Sequence, residues 1–212
     1  MELRGEVDQD YNERDPVNAS IHLTGQLYSL ADDSLLTLTG PDDILVEGSI
    51  FVRGENSVLR IESDDRVKFA TSFVEVEDGI EVIGNGQTED LDRVDPLWGG
   101  RLRSSVLVEA TAVIQSFAAG SDINITGAHD IDLFGSIVAG GSIGPEGVTW
   151  SGPDSEVNVV AGQQIYLASG VLASGSVSLI GNGAGDEEED GNNDNDENRE
   201  GSRNLSVLVD TA

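Results

Sequence analysis

Two stretches of this chain are near copies of each other. "LLTLTGPDDILVEGSIFVRG" at residues 35–54 and "DINITGAHDIDLFGSIVAGG" at residues 122–141 align at a constant shift of 87. They share Thr39/Thr126, Gly40/Gly127, Asp43/Asp130, Ile44/Ile131, Gly48/Gly135, Ser49/Ser136, Ile50/Ile137 and Gly54/Gly141. An internal duplication of this length constrains the fold more than any single motif, because whatever one copy forms the other must form beside it.

The alignment at shift 87 runs back to Ile21, set against Val108. Further on the shift becomes 98 and pairs "SVLRIESDDRVKFA" at residues 57–70 with "SEVNVVAGQQIYLA" at residues 155–168. The 11 additional residues of the second copy are close to "IGPEGVTWSGP", which reads as an inserted loop carrying Trp150. Both copies close on "IGNG", at residues 83–86 and 180–183.

A shorter period lies inside each copy. Leu36/Leu38, Leu59/Ile61 and Ile80/Val82 open successive lines of text about 22 residues apart. Within a line, apolar residues alternate at period two over a few positions and are then broken by Gly, Asp, Ser or Asn, which is the pattern of short strands with one buried face. Equivalent strands repeating at a fixed line length stack in parallel at about 4.8 Å. The spacing therefore predicts an all-β fold, a right-handed parallel β-helix (β-solenoid) with about 22 residues per coil, about four coils per repeat and no substantial helix. Leu38, Ile44, Ile50, Ile61, Ile125 and Leu179 are expected to point inward. A β-sandwich is the rival, but its strands are not copies at a fixed line length.

The organisation expected is then a preceding insertion's tail over 1–20, repeat 1 over 21–86, a polar insertion over 87–104, repeat 2 over 105–183, an acidic insertion over 184–204 and the start of a third repeat over 205–212. "SVLVEA" at 105–110 and "SVLVDTA" at 206–212 mark the two restarts, so the chain reads as a slice of a longer repetitive protein.

Charge narrows the chemistry. Forty acidic residues stand against 11 basic ones, for a net charge of −29, and Lys68 is the only lysine. Such a surface repels nucleic acid and anionic lipid. It has two ordinary explanations, a solvated acidic surface suited to high salt and the loading of divalent cations, for which carboxylate oxygens are the natural ligands. There is no apolar run of the ~18 residues that a membrane helix needs, and "MELRGEVDQD" lacks the basic-then-apolar order of a secretion signal. No direct membrane insertion is expected. With no cysteine, thiolate metal sites and disulfides are excluded.

Candidate sites follow from the acidic insertions. In "DEEEDGNNDNDENRE", residues 186–200, Asp190, Asn192, Asp194 and Asp196 fall at every second position, as in the first half of a calcium loop, though the glycine and glutamate that complete such a loop are missing. The metal ligands expected are Asp186, Asp190, Asp194 and Asp196, with Asp90, Asp92 and Asp95 in the first insertion, and the cation expected is calcium. A solvated loop is the alternative, since like charges repel and nothing apolar anchors them. His22 and His129 hold unrelated repeat positions, which argues against zinc.

Asp42, Asp43, Asp65 and Arg66 are a second candidate group, able to share one outer face as polysaccharide-cleaving carboxylates do, as are Asp130 and Asp132. Against catalysis, Asp65 and Arg66 become Gln163 and Gln164 in the second copy. Asn18, Asn124 and Asn204 fit the acceptor pattern for N-glycosylation.

The lines "INITGAHDIDLFGSIVAGGSI" and "VNVVAGQQIYLASGVLASGSVSLIG" resemble the β-helical repeats of giant bacterial surface proteins, the filamentous-haemagglutinin-like adhesins and related long exoproteins. The resemblance rests on Ile/Val/Leu alternation with Gly-Ser corners. It implies an extracellular or cell-surface location and a non-catalytic structural or adhesive stalk, with divalent cations, glycans or neighbouring copies as partners. A β-helix polysaccharide-degrading enzyme or a glycan-binding module is the alternative.

Overall fold

The computed structural model describes residues 2–4, 19–86, 104–183 and 207–209, with side chains over 19–86 and 104–183. Three parallel sheets run the length of the described chain. Sheet A orders β1 (Glu2–Arg4), β4 (Leu35–Gly40), β7 (Val58–Ser63), β10 (Ile80–Gly84), β13 (Asp122–Gly127), β18 (Glu156–Ala161) and β21 (Ser176–Gly181). Sheet B orders β2 (Ala19–Leu23), β5 (Asp43–Val46), β8 (Val67–Phe69), β11 (Ser104–Val108), β14 (Asp130–Leu133), β19 (Ile165–Leu167) and β22 (Val207–Val209). Sheet C contains β3 (Gln26–Ser29), β6 (Ser49–Val52), β9 (Phe73–Val76), β12 (Val113–Ser116), β15 (Ser136–Ala139) and β20 (Val171–Ala173). The chain visits A, B and C in turn, and each circuit is one coil of a β-solenoid. No helix occurs among the described residues.

Period two becomes burial directly. Leu36 pairs with Leu59, 23 residues on, and Leu59 with Ile80, 21 on, so each inward position repeats as a column along the axis. Leu38, Ile61, Val82, Ile125 and Val159 form the neighbouring column, all fully buried. Ile44, Ile50, Ile131, Leu133, Ile137 and Ile165 are likewise buried, and Leu179, in the last strand of sheet A, is partly buried against the same core. Phe69 is the largest fully buried side chain among the described residues.

Four outward positions of sheet B depart from the alternation. Leu45, Lys68, Leu107 and Asp132 face away from the core, yet are only 3, 7, 3 and 5% exposed.

The repeat is three coils, not four. Leu36 reaches its equivalent Ile123 through the pairs Leu36↔Leu59, Leu59↔Ile80 and Ile80↔Ile123, three steps that span the shift of 87. Most A-to-B connections are two or three residues, as between Gly40 and Asp43. The connections β1–β2, β10–β11 and β21–β22 are long and recur every third coil at this one corner. A coil count based on chain length alone treats these connections as extra coil.

A second correction concerns Ile21. It pairs with Ile44, while Val106 pairs with Ile131, so the counterpart of Ile21 is Val106 and not Val108. The link from β2 to β3 is two residues and that from β11 to β12 is four, which absorbs the difference.

Serines stitch the corner between sheets C and A. Ser34 Oγ donates to Ser57 Oγ at 3.0 Å, Ser121 Oγ to Ser155 Oγ at 3.4 Å, and Ser155 N to Ser174 Oγ at 3.3 Å. Ser57 and Ser155 also donate to the carbonyls of Ala31 and Ala118. A hydroxyl is small enough for a tight corner and satisfies backbone groups that the ladders leave unpaired.

The second repeat's extra residues are not a loop. They form an antiparallel hairpin, β16 (Gly141–Gly144) with β17 (Gly147–Trp150), closed by the two-residue turn Pro145–Glu146. Gly147 takes φ +112°, a region open to glycine at no steric cost.

Candidate functional site

The densest gathering of charged side chains in the described chain lies at the A–B corner of the second and third coils. β4 ends at Gly40, where an added Cβ would meet Ser20 Cβ at 2.9 Å, so the strand turns at once into Asp42 and Asp43. Asp42 N donates to Ser20 Oγ at 2.7 Å and Ser63 Oγ to the Asp42 carbonyl at 2.6 Å. One coil on, Asp65 N donates to Ser63 Oγ at 3.0 Å. These bonds stack Asp65 and Arg66 over Asp42 and Asp43, so the corner brings together all four residues singled out in sequence.

Arg66 grips Asp43 through two parallel bonds, Nε to Oδ1 at 2.9 Å and Nη2 to Oδ2 at 2.5 Å, with both side chains buried. The fork geometry gives such a pair direction as well as charge. Burial pushes the Asp65 carboxyl up to about 6, reinforced by the charge of Asp43, opposed by that of Arg66, and aided by a hydrogen bond with Asp43 and the charge of Asp42.

The second repeat builds the same corner with Gln164 at the position of Arg66. Asp130 Oδ1 accepts from Gln164 N at 3.1 Å, where Arg66 would stand, and Asp132 accepts from Ser104 Oγ. The first corner can hold a proton near neutrality, and the second has a glutamine backbone N–H donating to its aspartate.

The basic residues elsewhere are engaged internally. Arg53 pairs with Glu75 at 2.5 Å and lies 5.1 Å from the Phe51 ring centroid. Arg60 bridges Glu62 and Glu81, both at 2.9 Å, and its pKa is raised by the Glu62 hydrogen bond against some desolvation and with help from Glu81. Lys68 pairs with Glu109 at 2.6 Å. Every cation whose side chain is described thus meets a carboxylate, which leaves the electrostatic surface to the acids.

Sheet C's outer face differs between repeats. In the first it carries Tyr28 stacked on Phe51, with centroids 4.9 Å apart, and Phe73 tilted against Phe51. In the second, the equivalents of Tyr28 and Phe51 are Gln115 and Val138, and the hairpin packs over them: Ile143 N donates to Gln115 Oε1 at 3.1 Å and Val138 is fully buried. The chain's proline-glutamate turn between alternating residues was the available signal for this hairpin.

Asp90, Asp92, Asp95, Asp186, Asp190, Asp194 and Asp196 lie outside the described residues, as do Asn18 and Asn204. Among the described residues no group of three or more histidines and carboxylates has metal-binding geometry. His22 bonds Glu47 at 2.8 Å, and His129 sits at a different corner position with its backbone N donating to Ser105 Oγ. Asn124 is exposed on sheet A and accepts from Asn158 Nδ2 at 3.2 Å. No family model, curated protein or solved structure matches the chain.

Proposed function

We propose that this chain is a non-catalytic structural and adhesive stalk module of a long, repetitive extracellular protein of the filamentous-haemagglutinin-like kind, stabilised by calcium held in its acidic insertions. The observation that supports this most is the continuity of all three ladders through the β10–β11 connection and through the β16–β17 hairpin. Both leave the coil and return to it without a break in strand pairing. A stack in which each coil contacts only its neighbours extends without limit by repetition, and its backbone ladders carry load along one axis. The acidic surface, with its described cations paired, favours divalent cations and uncharged partners.

Single-molecule pulling tests the stalk directly. Coils without an insertion, of about 22 residues, should release in increments of roughly 70–80 Å, the extended length of one circuit, coils that carry an insertion should release in longer ones, and millimolar calcium should raise the release force more than sodium at matched ionic strength. Release of the whole chain in one low-force step would refute the stalk, and equal effects of the two salts would refute the calcium.

The enzyme reading keeps one specific support, the proton that Asp65 retains to about 6 beside Asp43. Turnover of an acidic polysaccharide, abolished by Asp65→Asn, would establish it in place of the stalk.

A further inference from the structure

The solenoid of the second repeat carries one element that its periodicity does not require. The β16–β17 hairpin is the only antiparallel pair among the described residues, and it occupies the extra segment that the first repeat lacks. It is firmly seated. Ile143 N is bonded to Gln115 Oε1, Ser151 N donates to the Gly140 carbonyl at 2.8 Å, and Gly152 lies so close to the preceding corner that a Cβ there would meet Ala119 Cβ at 2.3 Å. Gly141, paired with Trp150 across the hairpin, has no side chain to push the indole away; a Cβ there would stand 3.0 Å from Trp150 Cε3.

On this rigid base Trp150 is held 46% exposed. It forms one wall of an open cleft of about 530 Å³, completed by Ser151, Gly152, Pro153, Ala173 and Ser174. The lining residues include an indole, a pyrrolidine ring and two serines, while Ala173 packs against the core. None of them carries a charged side chain. Ser174 Oγ accepts from Ser155 N at 3.3 Å, which fixes this residue at the edge of the cleft.

We propose that this cleft is a binding subsite for a neutral saccharide. A sugar ring has an apolar C–H face and a rim of hydroxyls, and the cleft offers an amphipathic aromatic face with hydroxyl partners beside it. The volume is within the range of small-ligand sites. The seated hairpin removes the ordering cost that a free loop would impose on binding. Neutrality is required by the surroundings: the chain carries −29, with Glu146, Asp154 and Glu156 close in sequence to the lining, so uronates, sulfated glycans and nucleotides are repelled.

This inference gives the adhesive part of the stalk reading a location and rests on that reading for its biological meaning. The two can fail separately, because the pulling experiment does not involve Trp150. The test is titration of the whole chain, in a Trp98→Phe background so that Trp150 is the sole tryptophan and is excited selectively over the tyrosines, with cellohexaose, maltohexaose, chitohexaose and mannohexaose, and with polygalacturonate as the anionic control. At least one neutral oligosaccharide should shift the emission saturably below about 10 mM, on the weak side of the millimolar scale. Trp150→Ala in the wild-type chain should weaken retention on that immobilised sugar at least tenfold, and Ser174→Ala severalfold, with the circular dichroism of both unchanged. Saturable binding of polygalacturonate alone, no response to any neutral sugar, or retention indifferent to Trp150→Ala would overturn the assignment.

Discussion

Arg66 and Asp43 face each other across adjacent coils of one corner, joined by two hydrogen bonds of 2.9 and 2.5 Å and buried to 5 and 6% exposure. A buried pair of this kind is costly to break from one side, because the remaining charge keeps its desolvation penalty without its partner. Arg66→Ala should therefore lower the unfolding free energy by about 3–5 kcal/mol in urea titration. Asp43→Asn combined with Arg66→Gln, which approaches the uncharged Gln164 of the second repeat, should lose much less than Arg66→Ala. A loss under about 1 kcal/mol for Arg66→Ala would place the pair with exposed ion pairs and contradict the burial.

The Asp65 carboxyl sets a pH dependence with a definite sign. Its pKa is raised from 3.8 to about 6, so the folded chain binds a proton more tightly than the unfolded one. Stability contributed by that proton is present in full below about pH 4 and is lost as the pH rises toward and through 6. Asp65→Asn removes the loss. The melting temperature of Asp65→Asn relative to the parent should thus climb between pH 4 and pH 7, and comparing the two at each pH cancels the other carboxylates. A flat difference would show that Asp65 titrates normally.

Two glycines on the same side of the coil should respond oppositely to alanine. A Cβ at Gly48 would stand 1.9 Å from the Gly25 carbonyl oxygen of the coil below, whereas a Cβ at Gly25 meets nothing within 4 Å. Gly48→Ala forces adjacent coils apart and should cost about 1–3 kcal/mol or more, as overpacking does. Gly25→Ala should be neutral or stabilising by up to about 1 kcal/mol through the unfolded chain. Thermal denaturation of the two variants side by side would check the contrast.

Core columns should be far less tolerant than the outer faces. Ile125 is fully buried and Leu172 is 39% exposed. Ile125→Ala should cost about 2–5 kcal/mol and Leu172→Ala no more than about 0.5 kcal/mol, measured by chemical denaturation. Similar losses at both positions would mean that sheet C's outer surface is packed at Leu172 as well.

The columns were legible because strand burial follows a period that text can show. Leu38, Ile61 and Ile125 sit two residues from Leu36, Leu59 and Ile123, and the line length carried them into register. Where corner length varies, that reading slips. The two extra residues between Val108 and Val113 displaced the match of Ile21, and the long connections every third coil inflated the coil count. Leu45 and Leu107 show another limit, since alternation assigns a side but not what lies against it. At the corner, the grouping of Asp42, Asp43, Asp65 and Arg66 followed from the period, but the choice of Asp43 as the partner of Arg66 depends on stacking geometry. Trp150 was visible as a departure from the repeat, while the bond from Ile143 of its hairpin to Gln115 required the third dimension.

The long A–B connections and the hairpin leave the coil at different edges of its three-sided section. The first belong to the A–B edge at every third level, and the second leaves after β15, at the C–A edge of a single level. Such a rod works as a cylindrical coordinate system. The edge at which an insertion is spliced sets its azimuth, and the coil into which it is spliced sets its height. An appendage can then be moved around or along the axis by relocating a few residues in the gene, with the inward columns left as they are.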